Sequence, residues 1–254
     1  MGLNHCSLLI PTIDKVLNKC NIGLKEIDLI ALSIGPGSFT GLRIGVSTAK
    51  AFSLATKIPV IGVPTLDAIA YCHCEESRNG RPTCPPKLNA EAIQRRRKQS
   101  QKVDDYKYLA PLLDAKKSMM YFAIYESDMG EFKRLTDYLL ADIDSVLNKI
   151  KGPTLFFGDG VQLYGKYIQE KNPLVKLYHG DDWYPNAEAV ARLGFGKYSK
   201  GQRDNVDKLV PMYLHPKECN VRKIQNPNIT KSKINPNFKT VSYTHLTLPT
   251  KRIV

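Results

Sequence analysis

The fold is decided by the stretch Ser33-Ile-Gly-Pro-Gly-Ser-Phe-Thr-Gly-Leu-Arg-Ile-Gly-Val-Ser-Thr-Ala-Lys50. Asp28-Leu-Ile-Ala-Leu-Ser-Ile34, which leads into it, is a continuous apolar run and predicts a buried strand. Gly35 and Gly37, with Ser38, permit a turn closed to side chains, and a helix follows over about 39–55. That helix carries Gly41, Gly45, Ala49 and Ser53 at intervals of four, a ridge of small residues. Such a ridge lets another element approach closely. From the pattern alone it serves either a partner helix or this chain's own sheet and first helix.

Outward from this core the same alternation repeats. Residues 58–63 (IPVIGV) read as a second buried strand, and Pro64-Thr65-Leu66-Asp67 opens a helix with Thr65 as its N-cap. Upstream, residues 7–21 place Leu9, Ile13, Val16, Leu17 and Cys20 at helical spacing, with Pro11 expected in the first turn. Downstream, 109–114 and 119–125 read as a hairpin joined by Ala115-Lys116-Lys117-Ser118. A short helix over 142–150, a strand over 154–157, a helix over 161–169, a brief strand over 176–178, a helix over 186–198 and an extended piece over 209–214 complete the reading. Strands alternating with helices predict an α/β architecture with a mainly parallel, covered sheet.

Two segments stand apart. Residues 72–107 carry three prolines and Arg95-Arg96-Arg97-Lys98 and read as a basic, mobile insertion. Residues 218–254 are polar, basic and rich in Asn, Pro and Thr, and read as a disordered tail. The last residues of that tail, 242–254, resemble translated sequencing adapter rather than native sequence. The expected organisation is therefore 1–71 as a first lobe, 72–107 as the insertion, 108–217 as a second lobe with its closing helix, and the tail.

The net charge of +13 is concentrated in these segments: 72–109 contribute +4 and 220–254 contribute +7, leaving +2 elsewhere. A nucleic-acid face belongs on folded surface, so charge does not argue for direct RNA binding. No apolar run approaches the ~18 residues of a membrane span, and the first ten residues lack the marks of a signal peptide. A cytoplasmic protein with free thiols is expected from six scattered cysteines.

Candidate chemistry is sparse. The turn at Gly35 lacks the Gly-Lys-Ser/Thr of a P-loop, and Gly41 falls one position late for a dinucleotide fingerprint. The histidines His5, His73, His179, His215 and His245 show no pair four apart. Cys72-His73-Cys74 with Cys84 lacks the paired spacing of robust zinc sites, so no metal is expected. Asp159, between two glycines at a strand end, is read as a helix cap. Asp67 and Asp114 follow strands but have no acid, base or nucleophile partner in the sequence. Arg43 and Lys50 flank the small-residue ridge as candidates for rim ion pairs.

SIGPGSFTGLRIGVSTAKAFS, GVPTLDAIA, PLLDAKKSMMYFAIYE, LFFGDG and PMYLHP together resemble the TsaB (YeaZ) family of bacterial proteins. That family serves the machinery that makes N6-threonylcarbamoyladenosine in tRNA. The resemblance covers most of residues 5–216 outside the insertion. It implies an actin-like, ribonuclease-H-like (ASKHA) fold of two lobes, related to the catalytic subunit TsaD. It also implies a non-catalytic subunit with no cofactor of its own, pairing with a TsaD-like paralogue through a helix bundle. A TsaE-like ATPase would use the ATP, tRNA would be met through the complex, and the same surface would allow a homodimer.

Carried onto this chain, the partner interface would comprise Leu9, Ile13, Val16 and Leu17 of the first helix. From the second it would take Gly41, Leu42, Arg43, Gly45, Val46, Ala49 and Lys50. Family members begin with strands that are absent here before His5-Cys6-Ser7, so the first lobe is expected to lack its initial strands, about 30 residues at ordinary strand lengths. The competing class is an enzyme, either an actin-like ATP-binding phosphotransferase or a glycoprotease-like peptidase. The sequence offers neither a phosphate-gripping turn nor a defensible nucleophile and base for it.

Overall fold

The computed structural model describes residues 5–79, 106–128, 131–179 and 184–214, all within one compact unit, Met1–His215. The Arg95–Lys98 cluster, Cys84, most of the insertion and the tail lie outside the described residues.

The decisive stretch folds as strand, turn and helix. Strand β1 (Ile30–Gly35) leads to α2 (Phe39–Thr56), which follows α1 (His5–Cys20) and a short 3-10 turn at Leu24–Glu26. Strand β2 (Val60–Pro64) runs parallel to β1, with Ile30 opposite Val60 and Ser33 opposite Val63. Every residue of β2 is buried, as its unbroken apolar composition requires. The pair is covered on one face by α2 and on the other by α3 (Thr65–Asn79) and α6 (Ala187–Ser199). Val46 and Ala49 of α2 pack with Val60 and Leu209 on the first face. Ala68, Cys72, Ala189 and Val190 pack with Ile61 and Val63 on the second.

The second sheet is built on β3 (Tyr108–Asp114), which pairs antiparallel with β4 (Met120–Phe122) and β5 (Tyr125–Asp128). On its other edge β3 pairs in parallel with β8 (Thr154–Phe157), which in turn pairs with β9 (Val175–Leu177). Two outer strands, β6 (Glu131–Arg134) and β7 (Leu139–Ala141), pair with β5 and β4. Helices α4 (Ile143–Leu147) and α5 (Asp159–Lys171) cover one face, where Val146, Val161 and Ile168 meet Leu112, Phe122 and Phe156. No helix among the described residues is long and apolar enough to cross a membrane.

The structure departs from the sequence reading at identifiable points. The strand expected over 119–125 is broken at Ala123-Ile124, where the Ile124 N–H donates to Thr136 Oγ1 at 3.0 Å and its carbonyl accepts from the Leu135 N–H at 2.8 Å. Those side bonds divert the ladder and split it into β4 and β5. Thr65 is itself the first helical residue, and its hydroxyl shares a 2.7 Å hydrogen bond with Ser33 rather than capping. Pro11 lies inside α1 because the helix begins at His5. The piece expected over 209–214 forms no strand and is held by the Met212 N–H donating to the Ile34 carbonyl at 2.7 Å.

Helix α3 joins the two sheets. One side contributes Ala68 and Cys72 to the first, while Leu66, Ile69 and Ala70 enter the core of the second with Leu109, Tyr125 and Phe157. Between them Asp67 accepts hydrogen bonds from Tyr125 Oη at 2.8 Å and Tyr138 Oη at 2.7 Å. Burial, reinforced by the adjacent Asp67 carboxyl, pushes both phenols well above their ordinary range. The Arg134 guanidinium lies 3.9 Å over the Tyr138 ring.

Tyr138→Phe is expected to cost about 1.5–3 kcal/mol in chemical denaturation, because one partner of a carboxyl hydrogen bond is lost. Unfolded tyrosine ionises near pH ~10, whereas the folded phenols stay protonated, so the unfolded state loses protons first. Stability is therefore expected to fall above pH ~10, less steeply in Tyr138→Phe than in the wild type.

Candidate partner interface

Helix α1 is amphipathic, yet its described side chains contribute nothing to the core. Among residues 8–20 no side chain is buried: Leu9, Ile13 and Leu17 are half-buried, and Val16 is 54% exposed. Leu8 and Ile10 are also exposed, at 61% and 48%. Ile10, Ile13, Leu17 and Ile22 face Phe52 of α2 across a groove of ≈ 240 Å³. A helix of this composition gains its stability from burying an apolar face, and α1 has only part of such a face covered.

Helix α2 divides the residues expected at the interface. Steps of four residues advance 400° around a helix, so a four-residue ridge winds by 40° per step. Gly41, Gly45, Ala49 and Ser53 consequently do not share one face. Ala49 and Ser53 turn inward with Val46, at 4%, 6% and 5% exposure, and Ser53 Oγ donates to the Ile58 carbonyl at 2.6 Å. This corrects the placement of Val46 and Ala49 on the partner side. Gly45 looks outward, since a Cβ there would meet nothing within 4 Å, and a Cβ at Gly41 would touch only Ser38 at 3.6 Å. On the other side of the helix from Gly45, about 120–180° away, Ser47, Ala51 and the 59%-exposed Leu54 form a separate exposed stripe that the sequence reading missed.

The turn before α2 is shaped for packing. Gly35 has φ +109°, and a Cβ on it would lie 2.8 Å from Leu42 Cδ1 and 3.0 Å from the Met212 carbonyl oxygen. Only glycine suits that position, and Leu42 is thereby committed to the turn. Ser38 caps α2, its Oγ accepting from the Gly41 N–H at 3.4 Å, while Gly37 is unobstructed. Arg43 lies over the Phe39 ring at 5.2 Å, and Phe39 stacks on Tyr213 with ring centroids 5.2 Å apart. Lys50 is corrected as well: its Nζ donates to the Asp207 carbonyl at 3.0 Å, so it fastens the 204–212 strap instead of standing on a rim.

The carboxylates weighed as catalytic have internal partners. Asp114 accepts from the Lys116 N–H at 2.8 Å and from Lys116 Nζ at 2.6 Å, and the lysine holds its carboxyl below the ordinary range. Asp159 does not cap α5: Gly158 occupies that position, and Asp159 Oδ1 instead accepts from the Asp114 N–H at 2.8 Å. Cys72 is buried in the core, and the described residues contain no cluster of three or more metal-ligating side chains.

The family model described as TsaD, tRNA N6-adenosine threonylcarbamoyltransferase, matches residues 2–194. The chain belongs to this family. Within it, the tRNA threonylcarbamoyladenosine biosynthesis protein TsaB of Bacillus subtilis is 25% identical over 228 residues, covering 88% of this chain and 85% of that protein. A tRNA N6-adenosine threonylcarbamoyltransferase of Protochlamydia amoebophila is 46% identical, but over 67 residues that cover 26% of this chain and 20% of its own length. YeaZ from Pseudomonas aeruginosa superposes with TM-score 0.60 at 20% identity, covering 84% of this chain and 87% of that one. The TsaB/YeaZ resemblance read from the sequence therefore holds, and the fold is the actin-like α/β class it implied.

Two substitutions on α2 separate the outward from the inward face. Gly45→Leu is expected to leave the chain as stable as the wild type or up to about 1 kcal/mol more stable, because it replaces a glycine in an open helical position. Ala49→Leu is expected to cost about 1–3 kcal/mol by overpacking against the sheet. Urea denaturation of both variants checks the pair; the reverse order would mean that the helix is rotated.

Proposed function

We propose that the chain is a non-catalytic subunit of the machinery that transfers threonylcarbamoyl to N6 of adenosine 37 in ANN-decoding tRNAs. It acts by presenting α1 and the outward side of α2 to a TsaD-like catalytic paralogue. The observation that carries this reading is α1 itself, an amphipathic helix with no buried side chain among its described residues 8–20, beside the open Gly45. The names of its relatives place them in threonylcarbamoyladenosine biosynthesis. A second helix pair laid against α1 and the flank of α2 beside it would cover Leu8 and Val16, which water now meets, and would use Gly45 for close approach.

The organisation read from the sequence belongs to this proposal: 1–71 as the partner-bearing lobe, 72–107 as an insertion, and 108–217 as the second lobe. The chain supplies surface rather than chemistry. A TsaE-like ATPase supplies the nucleotide turnover, tRNA is met through the assembled complex, and the complex works in the cytoplasm. The internal partners of Asp67, Asp114 and Asp159 support the scaffold reading.

Co-purification with the cognate TsaD-like protein tests it. Wild type is expected to pair, and Gly45→Leu, though stably folded, to bind at least ~10-fold more weakly, the effect of about 1.4 kcal/mol of steric mismatch. Undiminished pairing by the variant would remove α2 from the interface, and failure of the folded wild type to pair would overturn the partner assignment.

A further inference from the structure

The 204–212 strap gathers charge that the sequence keeps apart. It runs along the edge of β2, where the Asp204 N–H donates to the Val60 carbonyl at 3.2 Å, and ends against β1, where Met212 meets Ile34. Cations flank it on both sides. Lys197 Nζ of α6 donates to the Gly62 carbonyl at 3.1 Å, beside the Gly62 N–H that Asp204 Oδ2 holds at 2.6 Å. Lys50 of α2 holds the Asp207 carbonyl. Lys208 stands exposed on the strap itself, and Arg203, at its start, lies over the Tyr198 ring at 5.2 Å.

Arg43 belongs to the same set. Seven residues before Lys50, it falls about 20° short of two full turns, so both project from one side of α2 roughly 10.5 Å apart. Phe52, about 180° from Arg43, faces α1 on the opposite flank. Among the described residues none of these five cations forms an ion pair, and each ammonium bonded to a carbonyl keeps two of its three donors. The acids beside them are Asp204, already engaged with Gly62, and Asp207. A cavity of ≈ 350 Å³ opens between Lys197, Asp204, Asn205 and Lys208. Where the strap leads on to the start of α2, Phe39 and Tyr213 stack on each other yet remain 56% and 49% exposed, with Arg43 over Phe39.

We infer that the strap and the flank of α2 beside it bind an RNA strand directly, with the cations on phosphates and the Phe39–Tyr213 pair under a base. Unpaired cations crowded on folded surface repel one another, and a polyanion relieves that repulsion. Cations alone suit any polyanion. Two half-exposed rings held beside them are the stacking platform that single-stranded nucleic acid uses, and an acidic protein has no such need. The cations come from 43–50, from 197–203 and from 208, so charge summed along the chain does not reveal them. That the RNA is a tRNA substrate rests on the proposed function. The surface lies across α2 from α1, which leaves it open when a TsaD-like protein covers α1.

Filter binding of an unmodified ANN-decoding tRNA transcript at several salt concentrations tests it, with the full chain alone and with its complex with the TsaD-like protein. The triple variant Arg43→Gln, Arg203→Gln, Lys208→Gln is expected to bind at least ~10-fold more weakly and to flatten the slope of log K against log salt by about 2–3. Lys208→Gln alone, which breaks no bond within the chain, is expected to flatten it by about 1. Tyr213→Ala is expected to weaken binding ~10-fold with the slope unchanged. A second triple, Lys149→Gln, Lys166→Gln, Lys176→Gln, removes the same charge from the second lobe and is expected to bind as the wild type does.

The inference is overturned if the wild type binds no tRNA in either form, if the two triples lose equally, or if Lys208→Gln keeps the full slope. Loss of pairing with the TsaD-like protein by the first triple would assign the surface to that protein instead. Displacement of tRNA by polyglutamate at equal charge, with Tyr213→Ala unimpaired, would assign it to an acidic protein. If the wild type does not pair, the proposed function fails, while titration of the free chain still decides the RNA surface. If the first triple does not fold, Lys208→Gln and Tyr213→Ala decide.

Discussion

The molecule depends on α3 being buried on two sides at once. Leu66, Ile69 and Ala70 belong to the core of the second sheet and Ala68 and Cys72 to that of the first, so neither sheet keeps its cover if the helix shifts. Apolar contacts are non-directional and would tolerate sliding. Asp67 supplies direction, because its two carboxyl oxygens are held by hydroxyls from Tyr125 and Tyr138 on the second sheet. Satisfied polar groups at a joint specify one arrangement where packing alone would allow several.

Around that joint, rigidity is unevenly distributed. The second sheet carries most of the fully buried large side chains, including Phe122, Tyr125, Phe156 and Phe157. Among the described residues the first sheet has two strands, and α1 beside it is covered only in part. Leu8, Ile10 and Val16 of α1 are accordingly left exposed. Under the proposed function that surface is what the chain lends to a partner, while Asp67, Asp114 and Asp159 hydrogen-bond within the frame.

Much of this was legible beforehand for physical reasons. The run from residue 28 to residue 64 reads as strand, turn, helix and strand because continuous apolar stretches punctuated by glycine have few other solutions. Strands β6 and β7 were missed because Glu131–Arg134 is polar and Leu139–Ala141 is short; they form only because β4 and β5 offer open edges. The ridge on α2 was visible as spacing, but its winding, which turns Ala49 into the core and leaves Gly45 outside, depends on where the sheet lies. Gly194 carried no local signal at all: its need for a missing Cβ comes from Ala31, whose Cβ would lie 2.5 Å away. Lys50 and Asp159 were misassigned because their partners, the Asp207 carbonyl and the Asp114 N–H, are distant in sequence.

The most direct measurement of the central claim is amide hydrogen exchange of this chain with and without the TsaD-like protein. The account predicts slowed exchange through α1 and the first half of α2, with the second sheet unchanged. Protection confined to the second sheet or to the 204–212 strap, with α1 exchanging as fast as in the free chain, would contradict it.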